Sequence, residues 1–254
     1  MTVTELNLAL FVCDTPPPDV YKNHGTYINI FDKAFSKGGA KVNWEGFNLV
    51  KMEYPTNVDK YDGIIIINSM EAAYNDKPWI LKLVNFIQDL RENHKAVKLI
   101  GICFGHQVIN RSCGGAVQKN PSGWEFGHTE VVLTPDGQKF FDTDRTSFTL
   151  YEAHQDHVYK LPPGFRRLGT TDPHTHVQLT ASEDGQILTS QGHPELNHNI
   201  IEILMTSRCE EGILSEEFTN ERLEKLKNNP AEEMGTIWMI KNFIKFFRGE
   251  LSLK

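Results

Sequence analysis

Three residues of this chain have the types and the setting for nucleophilic chemistry: Cys103, His193 and Glu195. Cys103 lies in Gly101-Ile-Cys-Phe-Gly-His-Gln107, directly after the apolar, partly β-branched run 96–102. Such a run reads as a buried strand. G-x-C-x-G is the thiol counterpart of the nucleophile elbow, whose glycines let a sharp strand-to-helix turn form without side-chain collisions. Residues 106–113 read as a helix stopped by Gly114-Gly115, which puts Cys103 at a helix N-terminus. There the helix dipole and the free N–H groups favour thiolate. The N–H of Phe104 would face the oxyanion of a tetrahedral intermediate. Farther along, Gln191-Gly-His-Pro-Glu195 follows a short strand candidate over 186–192. His193 has the chemistry of a general base, and Glu195 can fix its tautomer and stabilise its imidazolium. Triad members meet in space, so their separation along the chain is no obstacle.

The elements that must bring them together alternate. Leu6–Cys13, Phe47–Tyr54 and Tyr61–Asn68 read as strands. Residues 26–36, with Ile28, Phe31 and Phe35, and residues 80–91, with Leu83, Phe86, Ile87 and Leu90, have helical spacing. The proline-rich stretch Asp14–Tyr21 is expected to be a non-helical loop. This β-α-β-α-β order implies an α/β fold, a mainly parallel sheet with helices on both faces and its site at the carboxyl ends of the strands. Residues 116–185 are turn-rich, with Asp136-Gly137 and Asp184-Gly185 as tight-turn signals. They are expected to form antiparallel strands that extend the sheet and return His193 to Cys103. From Ile200 onward helices are expected, among them Glu216–Asn228 and Ala231–Arg248. The last carries Ile237, Ile240, Phe243, Ile244 and Phe247 on one face, which should pack on the core, with a dimer or partner contact as the alternative.

The two motifs, in this order, resemble those of the class I (triad) glutamine amidotransferases, and the resemblance runs from about Asn7 to about Leu204. Leu150-Tyr-Glu-Ala-His-Gln-Asp-His-Val158 and Ala73-Tyr-Asn-Asp-Lys-Pro-Trp-Ile80 are similar to segments of the stand-alone, GMP-synthetase-like members of fungi and plants, some of which are γ-glutamyl peptidases. The resemblance implies a three-layer αβα, flavodoxin-like fold. It implies one domain over 1–254, with a core of about 7–204 and a C-terminal helical extension of about 205–254. It also implies Cys103 as nucleophile, His193 as base and Glu195 as its partner. Phe104 would act through its backbone, and Gln107, Gln155 and Asp156 would contact a glutamyl group; no metal or cofactor is called for. One departure stands out. The family has a Gly-Ser or Gly-Gly turn after its third strand, and that turn completes the oxyanion hole. Here the residues are Asn68-Ser69-Met70-Glu71, so either the turn is one residue shorter or Ser69 takes the conformation of a glycine.

The implied activity is hydrolysis of glutamine or of a γ-glutamyl peptide such as glutathione, through a γ-glutamyl thioester. Two alternatives share the same residues: a glutaminase subunit that passes ammonia to a separate synthase, and a catalytically weak or inactive binding protein. The chain has no G-x-x-x-x-G-K-[ST] phosphate loop, so an ATP-dependent acceptor reaction would need another chain. A net charge of −7 without a basic stripe argues against nucleic-acid binding. No run approaches the roughly 20 apolar residues of a membrane span, and Met1–Leu6 lacks a signal-peptide pattern. Cys13, Cys103, Cys113 and Cys209 follow no framework spacing, which fits free thiols in the cytoplasm.

Overall fold

Strands with consecutive apolar residues are buried on both faces along those runs. In β1 (Thr4–Val12), Leu6, Leu8 and Leu10 face one side of the sheet, and Ala9 and Phe11 the other. In β3 (Gly63–Ile66), Ile65 faces the first side and Ile64 and Ile66 the second. In β4 (Lys98–Ile102), Ile100 and Ile102 oppose Leu99 in the same way. Period-two alternation splits such a run between two cores, as a sheet covered on both faces requires. The structure, a computed structural model, describes residues 4–227 and 233–253.

The first core is closed by α1 (Pro18–His24), α2 (Tyr27–Lys37), α5 (Pro135–Phe141), α6 (His198–Glu210), α7 (Glu216–Lys227) and α8 (Glu233–Phe247). The second is closed by α3 (Pro78–Asn93) and α4 (Phe104–Ser112). The chain is therefore a three-layer αβα fold. Its nine-stranded sheet also contains β2 (Ala40–Asn48), β6 (Glu125–Leu133), β7 (Ser147–His154), β9 (Phe165–Thr170), β10 (Leu179–Ser182) and β11 (Ile187–Ser190). The order is β2-β1-β3-β4-β11-β10-β9-β6-β7. The first five strands run parallel, and the last four continue the sheet antiparallel, as expected for residues 116–185. A separate antiparallel pair, β5 (Ala116–Lys119) and β8 (Asp156–Lys160), lies outside this sheet.

Three elements depart from expectation. The stretch Asp14–Tyr21 is not all loop: α1 begins at Pro18, where a proline's missing N–H costs nothing because the first helical N–H groups have no acceptor. The second strand is Ala40–Asn48 rather than 47–54; its exposure alternates along an edge strand whose apolar content is too low to stand out. Asp136-Gly137 is the first turn of α5, not a tight turn. The Thr134 hydroxyl accepts from the Gly137 N–H at 3.0 Å and Pro135 occupies the first helical position. In α8, Ile240, Phe243, Ile244 and Phe247 are buried in the first core, as expected. The expected helix ends at Asn228 and Ala231 lie outside the described residues.

Candidate functional site

The Cys103 turn is built by close backbone approach. Cys103 follows Ile102 at the carboxyl end of β4 and caps α4 with φ 54° and ψ −108°, a conformation that non-glycine residues rarely adopt. Such a residue stores on the order of 1–3 kcal/mol and persists only when its surroundings over-determine it. Here they do: the Cys103 N–H donates to Ser190 O at 2.9 Å, and its carbonyl accepts from the Gln107 N–H at 3.1 Å. Both flanking glycines are sterically required. A Cβ at Gly101 would lie 2.5 Å from the Gly105 carbonyl oxygen, and one at Gly105 would lie 2.0 Å from the Ile66 carbonyl oxygen. Because both obstacles are backbone, Gly105→Ala is expected to destabilise the fold by about 3 kcal/mol or more. Thermal denaturation would reveal this; an unchanged melting temperature would contradict the packing.

The His193 loop, proposed below to carry the base and called the base loop, leaves β11, the parallel neighbour of β4, with Ser190 paired to Ile102. His193 and Cys103 thus emerge side by side. Ser190 Oγ donates to Gly192 O at 2.7 Å, and the His193 N–H donates to Tyr151 O at 2.8 Å, which fixes the loop against β7. His193 Nδ1 meets Glu195 Oε1 at 2.8 Å with both side chains buried. The Cys103 side chain is the ring's other neighbour, and with Nδ1 engaged, Nε2 is the nitrogen left for the sulfur. Burial opposes the imidazolium, but Glu195 and Cys103 outweigh it and hold His193 well above its ordinary value. The buried carboxylate and the neighbouring sulfur favour the imidazolium form of His193.

Cys103 and His193 open onto a cleft of ≈ 530 Å³ whose walls also include Ser69, Phe104, Gln107, Gln155 and Asp156. All the sequence-predicted contact residues therefore share one cavity. Gln107 is more constrained than expected: its Nε2 donates to Asp156 O at 2.9 Å and to Gln191 Oε1 at 3.0 Å, so only Oε1 remains for a ligand. The Gln155 carbonyl accepts from the Asn120 N–H at 2.7 Å. Burial raises the Asp156 carboxyl above its usual range, and Tyr74 and His154 act against it. Ser69 does not take up a glycine-like positive φ. Its Oγ accepts from the Glu71 N–H at 3.0 Å, which ties that donor into the loop.

His154, in the segment expected to hold substrate, is clamped from behind. Its Nδ1 meets Asp156 O at 2.9 Å, and its Nε2 meets Glu125 Oε2 at 3.0 Å and Glu152 Oε2 at 3.3 Å. Burial works against its charge, but the two carboxylates prevail and raise His154 to about 10. Glu125, Glu152 and His154 are the group of described residues close enough to hold a metal, with donor atoms within 4.8 Å of one another. An imidazolium between two carboxylates accounts for the same spacing.

Two cleft residues had no signal in the sequence. Arg208 of α6, mostly buried, pairs with Glu211 at 2.5 Å and reaches across the cleft to the Met70 sulfur. Tyr27 of α2 is buried beside the Asn68 side chain, and burial, with Asp14 nearby, raises its phenol so that it stays protonated. Both lie on helices whose other residues read as ordinary amphipathic pattern.

A helix-capping cysteine beside a histidine–carboxylate pair, at the carboxyl ends of adjacent parallel strands, is suited to thiol acyl transfer. The chain belongs to the class I glutamine amidotransferase family, whose profile matches residues 19–208. It is similar to gamma-glutamyl peptidase 5 of Arabidopsis thaliana, with 30% identity over 251 residues covering 96% of this chain and 98% of that protein. A glutamine amidotransferase-like protein of Schizosaccharomyces pombe is 30% identical over 239 residues, covering 90% of this chain and 94% of its own length. Among solved structures, a glutamine amidotransferase of Methylobacillus flagellatus shares the fold with a TM-score of 0.72 at 17% identity, over 99% of this chain and 96% of that one. Among the described residues no helix is long and apolar enough to cross a membrane.

Proposed function

We propose that this protein is a cysteine-nucleophile hydrolase of γ-glutamyl amides, with a γ-glutamyl peptide such as glutathione preferred over glutamine. The observation that carries the chemistry is that Cys103, with its strained backbone, and His193 line one cleft, with the Glu195 carboxylate buried against His193 Nδ1. The Cys103 thiolate attacks the γ-carbonyl carbon, and the oxyanion is received by the Phe104 N–H and the loop at Ser69. The His193 imidazolium gives its proton to the leaving amine as the C–N bond breaks. Water, losing a proton to His193, then attacks the thioester and releases glutamate with the thiolate restored. Gln107 Oε1 and Asp156 suit the α-ammonium of the glutamyl group. The steps require no metal or cofactor, and no synthase partner. The four free thiols suit a cytoplasmic location.

The preference for a peptide is supported by the cleft beyond the triad. Leu196, Ile200, Leu204 and Arg208 recur every four residues along one face of the base loop and α6, and all line the cavity. From Ile200 to Arg208 the helix rises about 12 Å. A dipeptide leaving group extends about 7 Å, which brings its terminal carboxylate within reach of a long arginine side chain. Ammonia, the leaving group of glutamine, makes no use of this space. The test is glutamate release from glutathione and from glutamine in parallel. Cys103-dependent release favouring glutathione is expected; preference for glutamine would instead indicate a glutaminase that serves a synthase. Arg208→Ala is expected to raise KM for glutathione about tenfold, in line with loss of one charge-assisted hydrogen bond, and to leave glutamine unaffected. An equal effect on both substrates would remove Arg208 from the leaving-group end.

One observation favours a weakly catalytic or binding protein instead. The Asn68–Glu71 loop has no glycine, and Ser69 Oγ occupies the Glu71 N–H. Loss of one oxyanion donor lowers rate by roughly 10²–10³. Absence of Cys103-dependent release from either substrate would support that alternative.

A further inference from the structure

Behind the base loop lies an ionisable side chain that the proposed reaction does not use. Glu152 of β7 is fully buried, and neither carboxylate oxygen has a hydrogen-bond partner. The single Nε2 of its neighbour His154 is closer to Glu125, at 3.0 Å, than to Glu152, at 3.3 Å. On its other side Glu152 presses on the base loop: a Cβ at residue 192 would lie 2.3 Å from Oε1. Glycine at 192 is what lets this carboxylate rest against the peptide that leads into His193. Strand and loop are tied at the same place, since Tyr151, one residue before Glu152, accepts the His193 N–H.

We infer that Glu152 is a positioning residue for His193: its ionised carboxylate, held against Gly192, stabilises the His193 imidazolium and through it the Cys103 thiolate. This role presupposes that His193 partners a Cys103 nucleophile, as proposed above. The charged groups facing Glu152 are His154 on its own strand, Glu125 on β6 and His193 on the base loop. Beyond His193 stand Glu195 and Cys103. Burial pushes Glu152 up, His154 and His193 draw it back and Glu125 opposes them; the balance falls at about 7. Above that pH the carboxylate is charged and its field favours the imidazolium. Below it Glu152 takes up a proton, the field is lost and the thiolate–imidazolium pair weakens. Reactivity should therefore rise with pH through this range.

The test compares wild type with Glu152→Gln, which keeps shape and removes charge. The rate of Cys103 alkylation by iodoacetamide, located by peptide mass, and kcat/KM for glutathione would be followed across neutral pH. Wild type should show a step near 7. The variant should lack it and react about tenfold more slowly above it, equivalent to one pKa unit, with KM unchanged. A variant that keeps the wild-type step and rates would overturn the inference while leaving the hydrolase proposal intact. Ordinary thiol behaviour of Cys103 in wild type itself, with a pKa of about 8.5, would overturn both. Should the variant not fold, carboxyl NMR of wild type carrying labelled glutamate decides: one buried glutamate must titrate near neutral pH, and the absence of any such glutamate sinks the inference.

Discussion

Cys103→Ala is expected to reduce glutamate release by on the order of 10⁴-fold or more, because loss of a covalent nucleophile leaves only binding and oxyanion stabilisation. The fold should survive. The change removes one sulfur from a partly buried position, and the backbone bonds that hold residue 103, to Ser190 and from Gln107, do not involve its side chain. Alanine has no better access to φ 54° than cysteine, so the strain is unchanged. Loss of activity with an unaltered melting temperature would therefore report on chemistry alone. The complementary observation uses wild type: acid-quenched after mixing with substrate, Cys103 should carry the mass of one γ-glutamyl residue. Retention of more than about one-hundredth of wild-type activity by the alanine variant would remove Cys103 from the reaction, since a triad nucleophile contributes far more than that.

The nucleophile turn was legible in the sequence because glycine spacing records backbone constraints directly. Gly101 and Gly105 are glycines because a Cβ at either would enter a neighbouring backbone. The base loop was legible for a similar reason, a histidine and a carboxylate two residues apart with proline between them. The parallel half of the sheet was legible in runs such as Gly63–Ile66, which only a doubly covered strand can hide. What remained hidden depends on register and on helix rotation. Glu125 and His154 face each other because β6 and β7 pair antiparallel with these two residues opposite, and alternating polar and apolar residues do not specify which residues oppose. Nothing in the segment Leu150–Val158 singles out Glu152 by itself. Arg208 carried no signal, because nothing in α6 indicates that a loop carrying Met70 faces it across a cleft. Local signals also misled: proline and Asp-Gly are turn residues, yet both serve equally well in the first turn of a helix, as at Pro18 and at Asp136-Gly137.

Glu195→Gln should be nearly as severe as loss of the nucleophile, with kcat falling about 10³- to 10⁴-fold, although the hydrogen-bonded shape is preserved. In the native site Glu195 Oε1 can only accept, so the His193 Nδ1 at 2.8 Å must donate and Nε2 is left to exchange a proton with the sulfur. A glutamine amide can present its NH₂ to Nδ1, which places the neutral ring's proton on Nε2 and removes its basicity toward Cys103. The charge is lost as well. His193 is held high because Glu195 and Cys103 outweigh the effect of burial; without the Glu195 carboxylate, burial works against one opposing group and the imidazolium is less favoured. The sign of the pH effect follows. In wild type the Glu195 carboxylate supports the imidazolium, whereas the variant lacks that support and depends on the thiol ionising on its own, at about 8.5 for an unperturbed cysteine. Residual activity should therefore keep climbing with pH above the wild-type step near 7, where wild type is level. The profile of kcat/KM against pH, together with Cys103 alkylation rates, separates this from misfolding, which would lower activity at every pH alike. A glutamine variant within about tenfold of wild-type kcat would mean that the carboxylate does less than orient a catalytic base.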